Sequence, residues 1–134
     1  VSRTATTIFE LPVVSAQAMP FVERVVEVTG GRYTAKDMER FVLDGTLVAW
    51  VIYDRAEMIG WAASEILLYP QKKVCSTPFL AGDRLADWID RLHQRIEEYA
   101  RSVGCTAMEG WGLRAWVKFL PGWKVNYVAL SKEL

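Results

Sequence analysis

Residues 47–60 read LVAWVIYDRAEMIG, and the way this stretch alternates sets the fold class. Leu47 to Tyr53 is a run of strand formers, Asp54, Arg55, Ala56 and Glu57 make a polar turn, and Met58 to Leu68 resumes the apolar run. The pattern predicts a β-hairpin, with Gly60 marking a bulge or the close approach of another group. A third strand, Lys73 to Leu80, follows the turn at Tyr69 and Pro70. Pro78 inside it predicts a place where the ladder opens or bends, because proline has no N–H to donate.

Working outward, Thr7 to Leu11 is a short strand that ends at Pro12. Ser15 is placed to cap a helix from Ala16 to about Val28, with Pro20 in its first turn, Phe21, Val22, Val25, Val26 and Val28 as its apolar face, and Gly30 and Gly31 as its stop. Thr34 caps a second short helix that carries Met38, Phe41 and Val42 and closes around Asp44 and Gly45. Downstream, Asp83 starts the clearest helix, which ends at Gly104. Leu85, Trp88, Ile89, Leu92, Ile96, Tyr99 and Val103 recur on it at intervals of three or four. Cys105 to Glu109 is a short strand, Leu113 to Phe119 a short helix and Trp123 to Leu130 a last strand, with Pro121 and Gly122 as the break between the last two. This order predicts an α/β sandwich around a mixed sheet rather than a regular doubly wound fold.

A chain of 134 residues is the size of one domain, spanning 1–134. Lys plus Arg and Asp plus Glu both number 16, so no global field gathers polyanions, and no nucleic-acid partner is expected. The chain opens Val1, Ser2, Arg3, Thr4 with no secretory leader, and no stretch reaches the roughly 18 apolar residues of a membrane helix. A cytoplasmic location and no membrane partner are therefore expected. Cys75, Cys105 and His93, the one histidine, have no metal-ligand spacing, so no metal is expected. Six tryptophans are an excess for this length. Trp50 and Trp88 read as core, whereas Trp61, Trp111, Trp116 and Trp123 fall near sheet or loop ends, where they fill core, line a cleft or meet a partner.

The order of elements from Val48 to Leu130 resembles the GNAT superfamily of acetyl-CoA-dependent N-acetyltransferases, especially small, divergent members found in phage genomes. VAWVIYDRAEMIG, ending at Gly60, is similar to the family's second and third strands. Arg101 to Cys105, RSVGC, resembles the end of its long helix and the entry to its fifth strand. Arg114 to Trp123, RAWVKFLPGW, resembles the terminal helix, loop and strand that usually end in Leu-Gly-Phe or Leu-Gly-Tyr. The resemblance implies a mixed, mostly antiparallel central sheet with helices on both faces. It also implies acetyl-CoA as cofactor and an amine as acceptor.

In that family the fourth strand leads into a loop of Gln or Arg, two residues, Gly, one residue, and Gly or Ala, whose backbone N–H groups hold the cofactor pyrophosphate. The corresponding stretch is Phe79 to Ala86, FLAGDRLA, which implies Phe79, Leu80, Gly82 and Arg84 as the cofactor-binding residues. It supplies one glycine, and Asp83 at the expected helix cap would occupy the donors a phosphate needs, so the loop reads as degenerate. Arg84 is either a direct phosphate partner or a solvated residue of the first helical turn, and Gly82 is either loop or plain turn.

The terminal motif departs as well. Gly112 and Lys118 stand where family members often carry an Asn and a Tyr that protonates the leaving thiolate. Lys118 would donate a proton if burial lowered its pKa; the competing reading is a surface lysine. Tyr127 on the last strand lies near the cleft or packs. The carboxylates best suited to deprotonate an amine are Glu109, at a strand end before Gly110 and Gly112, and Glu65 on the third strand. Their competing readings are a solvated edge and a charge partner for Lys72 or Lys73. His93 falls on the flank of the long helix as a surface residue, and Cys75 and Cys105 read as buried small apolar groups. Two functions compete. One is an acetyl-CoA-dependent N-acetyltransferase acting on an unknown amine and catalytically degenerate. The other is a non-enzymatic module that uses the fold for assembly in a homo- or hetero-oligomer, as a virion or internal core component among other virion proteins. A third, an inhibitor binding one partner, has no specific feature in the sequence.

Overall fold

A computed structural model describes residues 6–110, 120–126 and 128–134. The elements are β1 (Thr6–Leu11), α1 (Met19–Val28), α2 (Ala35–Leu43), β2 (Val48–Asp54), β3 (Glu57–Tyr69), β4 (Lys72–Gly82), a 3-10 turn (Leu85–Asp87), α3 (Ile89–Ser102) and β5 (Ala107–Gly110). The strands form one sheet in the order β1-β2-β3-β4-β5. The first three pairings are antiparallel and β4 with β5 is parallel, which makes the mixed, mostly antiparallel sheet that was expected.

Strand alternation divides the core between the two faces of the sheet. Ala49, Val51, Trp61 and Ala63 point to one face, where Val22 and Val25 of α1 and Met38 and Val42 of α2 cover them. Trp50, Ile52, Ala62 and Cys75 point to the other, against Ile89, Leu92 and Ile96 of α3. Trp50 satisfies its indole N–H inside this layer by donating to Ser64 Oγ at 2.9 Å. Helices therefore flank the sheet on both sides.

Two bulges shape β3 and β4. Ile59 is the extra residue between the pairs Ile52–Gly60 and Tyr53–Met58, so Gly60 does sit beside a bulge. On β4, Thr77 and Pro78 together oppose Ser64, between the pairs Ala63–Phe79 and Glu65–Ser76. The ladder is thus broken at Pro78, where the missing N–H called for it. Thr34 caps α2 as expected, and does so through a reciprocal pair: Asp37 N–H donates to Thr34 Oγ1 at 3.2 Å and Thr34 N–H to Asp37 Oδ2 at 2.9 Å.

Several boundaries differ from the sequence reading. Ser15 Oγ accepts from Ala18 N–H at 3.3 Å and closes a separate turn, and α1 begins only at Met19, with Pro20 in its first turn. The long helix starts not at Asp83 but at Ile89. Arg84 takes a positive φ of 54°, which no helix can include, and Leu85–Asp87 is a tight 3-10 turn. Trp61 lies at the centre of the sheet and is fully buried, not at an end. Residues 123–126 and 128–130 form no strand, and Val125, Val128 and Leu130 stand exposed. The helix expected at Leu113–Phe119 lies outside the described residues.

The late start of α3 follows from where Trp88 goes. Its ring is buried over two paired glycines: a Cβ on Gly82 would lie 2.5 Å from Trp88 Cζ2 and 2.8 Å from the Ile59 carbonyl, and one on Gly60 would lie 2.8 Å from the same ring carbon. The indole N–H donates to Asp83 O at 2.7 Å. Gly82→Ala is expected to lower the unfolding free energy by about 1–3 kcal/mol through overpacking. Urea titration measures this, and an unchanged midpoint would contradict the slot.

Candidate functional site

β4 and β5 pair over four rungs, from Val74–Ala107 to Thr77–Gly110. β5 then ends, whereas β4 runs on to Gly82 with β3 on its other side, through Phe79–Ala63, Leu80–Ala62, Ala81–Trp61 and Gly82–Gly60. From Pro78 onward, therefore, one edge of β4 has no strand partner among the described residues. An extended arm of a ligand would find backbone donors and acceptors along such an edge.

The apex of this opening is polar and buried. Thr77 Oγ1 donates to the Glu109 carbonyl at 3.3 Å and lies 3.4 Å from His93 Nε2. His93 Nδ1 faces the Ile89 carbonyl at 3.0 Å, so the proton of the neutral ring sits on Nδ1 and Nε2 is left as an acceptor. Trp123 packs edge-on against this ring, 5.0 Å between centroids. Gly110 is confined by the same groups: a Cβ there would be 3.2 Å from Thr77 Oγ1 and 3.3 Å from Trp123 Cζ3. His93 is only 5% exposed, which corrects its reading as a surface residue. With α3 starting at Ile89, its fifth residue returns to the face of Ile89, Leu92 and Ile96. Burial pushes its pKa below the ordinary value, outweighing the Ile89 carbonyl and the charges of Glu97 and Asp90.

On the sheet itself, the register sets Glu65, Ser76 and Glu109 in one row across β3, β4 and β5. The two glutamate backbones are two strand spacings apart, roughly 10 Å. Both are half-buried beside the buried Ser76, and the Tyr69 hydroxyl donates to Glu109 Oε1 at 3.3 Å. The fold thus brings the two carboxylates singled out in the sequence onto one row at the end of the β4–β5 pairing. Lys118 and Tyr127 lie outside the described residues, as do Trp111, Gly112 and Trp116.

The connection from β4 to α3 is fastened by the chain's own groups. Asp83 N–H donates to the Ile59 carbonyl at 2.8 Å, and the Asp83 carboxylate pairs with Arg24 of α1 at 3.3 Å. Arg24 also donates to the Gly82 carbonyl at 3.3 Å. Asp83 therefore does not cap the long helix, which begins six residues later behind Trp88, a cap with no side-chain bond. Arg84 is not part of a helical turn either. It donates to Asp54 Oδ2 at 2.8 Å across to the end of β2. Phe79 is half-buried with its ring edge-on to Tyr33 at 5.3 Å, and Leu80 packs toward the α3 layer. Asp87 and Asp90 stand at the start of the helical segment.

Cys75 is buried as expected, and burial pushes its thiol up to about 11, a range in which it is neither nucleophile nor ligand at neutral pH. Among the described residues no group of three or more His, Cys, Asp or Glu is arranged to hold a metal ion. No helix among them is long and apolar enough to cross a membrane.

The mixed, mostly antiparallel sheet flanked by helices is a GNAT-like α/β architecture. An aminoglycoside acetyltransferase from an uncultured soil metagenomic sample, solved in complex with sisomicin, superimposes with a TM-score of 0.69 at 12% identity, over 98% of this chain and 97% of that one. A GNAT family acetyltransferase of Staphylococcus aureus gives 0.63 at 12% identity over 97% and 99%. A transcriptional regulator from Bacillus halodurans gives 0.68 at 14% identity over 96% and 99%. No protein-family model matches the chain, and no curated protein matches it. At these identities the likeness is one of fold.

The buried histidine makes a pH prediction. Because its folded pKa lies below the ordinary value near 6.5, the unfolded chain binds the proton more readily. Stability is then full above about pH 6.5 and declines as the pH falls toward the folded pKa. Urea midpoints between pH 7.5 and 5 should show this decline in the wild type and a flatter profile in His93→Gln. Identical profiles would contradict a neutral buried His93.

Proposed function

We propose that this chain is a GNAT-fold relative of the N-acetyltransferases that is catalytically degenerate and has lost ordinary acetyl-CoA binding. The self-fastened β4–α3 connection carries the reading. A pyrophosphate needs several free N–H donors, bare backbone to approach and a cationic partner. Gly82 instead faces the Trp88 ring, and the Asp83 N–H is spent on Ile59. Arg24 and Arg84 are engaged by carboxylates, while Asp87 and Asp90 set negative charge where an anion would sit. These residues, including the family-implied Gly82 and Arg84, do not fit the group.

What the site retains suits an amine. Glu109, with Glu65 in the same row two strands away, is the group to hold an ammonium or take its proton, Lys118 remains the proton donor read from the sequence, and Tyr127 the further residue read near the cleft. A thermal shift assay tests the reading. A cofactor bound at 100 times its Kd stabilises by about 2.7 kcal/mol, a readily visible rise in Tm. No rise is expected at millimolar acetyl-CoA, and a saturable rise would overturn the proposal.

A second reading, the non-enzymatic assembly module, is favoured by a separate observation. Val125, Val128 and Leu130 are 44%, 63% and 92% exposed, and the described residues around them form no strand. The resemblance to small phage members would set such a module among virion proteins.

A further inference from the structure

Resting on the proposal that the site retains an affinity for amines, we infer that the row Glu65–Ser76–Glu109 binds a linear diamine, with one ammonium on each glutamate and the methylene chain crossing β4. The three side chains share a face of the sheet. Ile66, Cys75 and Met108, their chain neighbours, pack into the α3 layer, so alternation turns Glu65, Ser76 and Glu109 to the opposite side. The bulge at Thr77 and Pro78 lies beyond this row and leaves it intact: Glu65 pairs with Ser76, and Ser76 with Glu109.

Neither carboxylate is part of an ion pair among the described residues. Lys73, one of the partners weighed for Glu65, donates instead to the Val103 carbonyl at the end of α3. Between the two glutamates Ser76 is 1% exposed, and its hydroxyl makes no hydrogen bond among the described residues. A buried hydroxyl is seldom left so, and this one stands between two half-buried carboxylates. The spacing selects the ligand. Glutamates two strands apart, roughly 10 Å between backbones, are too distant to share one metal ion at oxygen distances of about 2–2.6 Å. A monoamine would neutralise one carboxylate and leave the other partly desolvated without a cation. A diamine neutralises both, and an ammonium N–H has the Ser76 oxygen as a second acceptor along the row.

Isothermal titration calorimetry in the absence of acetyl-CoA tests this. The wild type should bind diaminohexane at least about tenfold more tightly than hexylamine, the difference made by one further charge-assisted contact. Diaminopropane, too short to reach both glutamates, should bind no better than the monoamine. Glu65→Gln and Glu109→Gln keep the side-chain shape, and each should bring diaminohexane down to the affinity of hexylamine. The chain-length comparison is made on the wild type and stands whatever the variants do to folding. Hexylamine binding as tightly as diaminohexane overturns the diamine and leaves the amine reading in place, whereas no binding of either overturns both. A rise in Tm with acetyl-CoA overturns the proposed loss of the cofactor site without touching this inference.

Discussion

One indole seated on two glycines sets the geometry on which the rest of the molecule depends. Trp88 lies over Gly60 and Gly82, which face each other across β3 and β4, and its N–H is tied to the carbonyl of Asp83. To bring the ring there the chain must turn sharply after β4, and it does so through Arg84 in the left-handed region and a 3-10 turn. Only then does α3 begin, with its phase fixed so that Leu92, His93 and Ile96 face the sheet. Losing a ring of this size from a core costs about 3–5 kcal/mol. Against a total of about 5–15 kcal/mol for a domain, that is a large fraction of the stability. The same contact covers the bare backbone of Gly82 with protein.

How much of this was legible in the sequence depended on whether the signal was local. The hairpin of β2 and β3, the capping box at Thr34 and the break at Pro78 all rest on chemistry within a few residues, and each formed where expected. The start of α3 did not. Leu85 and Trp88 fit the apolar period of the helix that follows, so periodicity extends the helix back to Asp83. Only a tertiary partner, the paired glycines, reveals that Trp88 belongs to a slot. His93 was misread by the same route, since its phase depends on where the helix begins. Trp61 looked peripheral because β3 was not known to lie between β2 and β4. That the described residues 123–126 and 128–130 form no strand is invisible locally, because strand propensity describes what a segment favours and not whether an edge is free to receive it.

The site divides along the same line. Two carboxylates chosen for their strand positions turn out to share a row, because Glu65 and Glu109 both register with Ser76. Register was not readable, but residue type and element were. Gly82 shows the opposite case. A glycine before a helix serves equally to admit a phosphate or to admit a neighbouring side chain, and the sequence is the same for both. The distances to Trp88 and Ile59 show that here a side chain lies against it.

Fold and function therefore part company in a definable place. The architecture is shared with enzymes that acetylate aminoglycosides, yet at 12% identity only the sheet and its flanking helices are carried across. A turn that must hold a ligand keeps its backbone bare and its cations free, whereas one relieved of that duty can give both to internal packing. Here Arg24 and Arg84 tie the turn to α1 and β2, and Trp88 fills it. At the opposite end of the sheet β5 is short and a strand-forming segment lies exposed beyond it. The likeness of fold is therefore compatible with a turn closed by its own side chains.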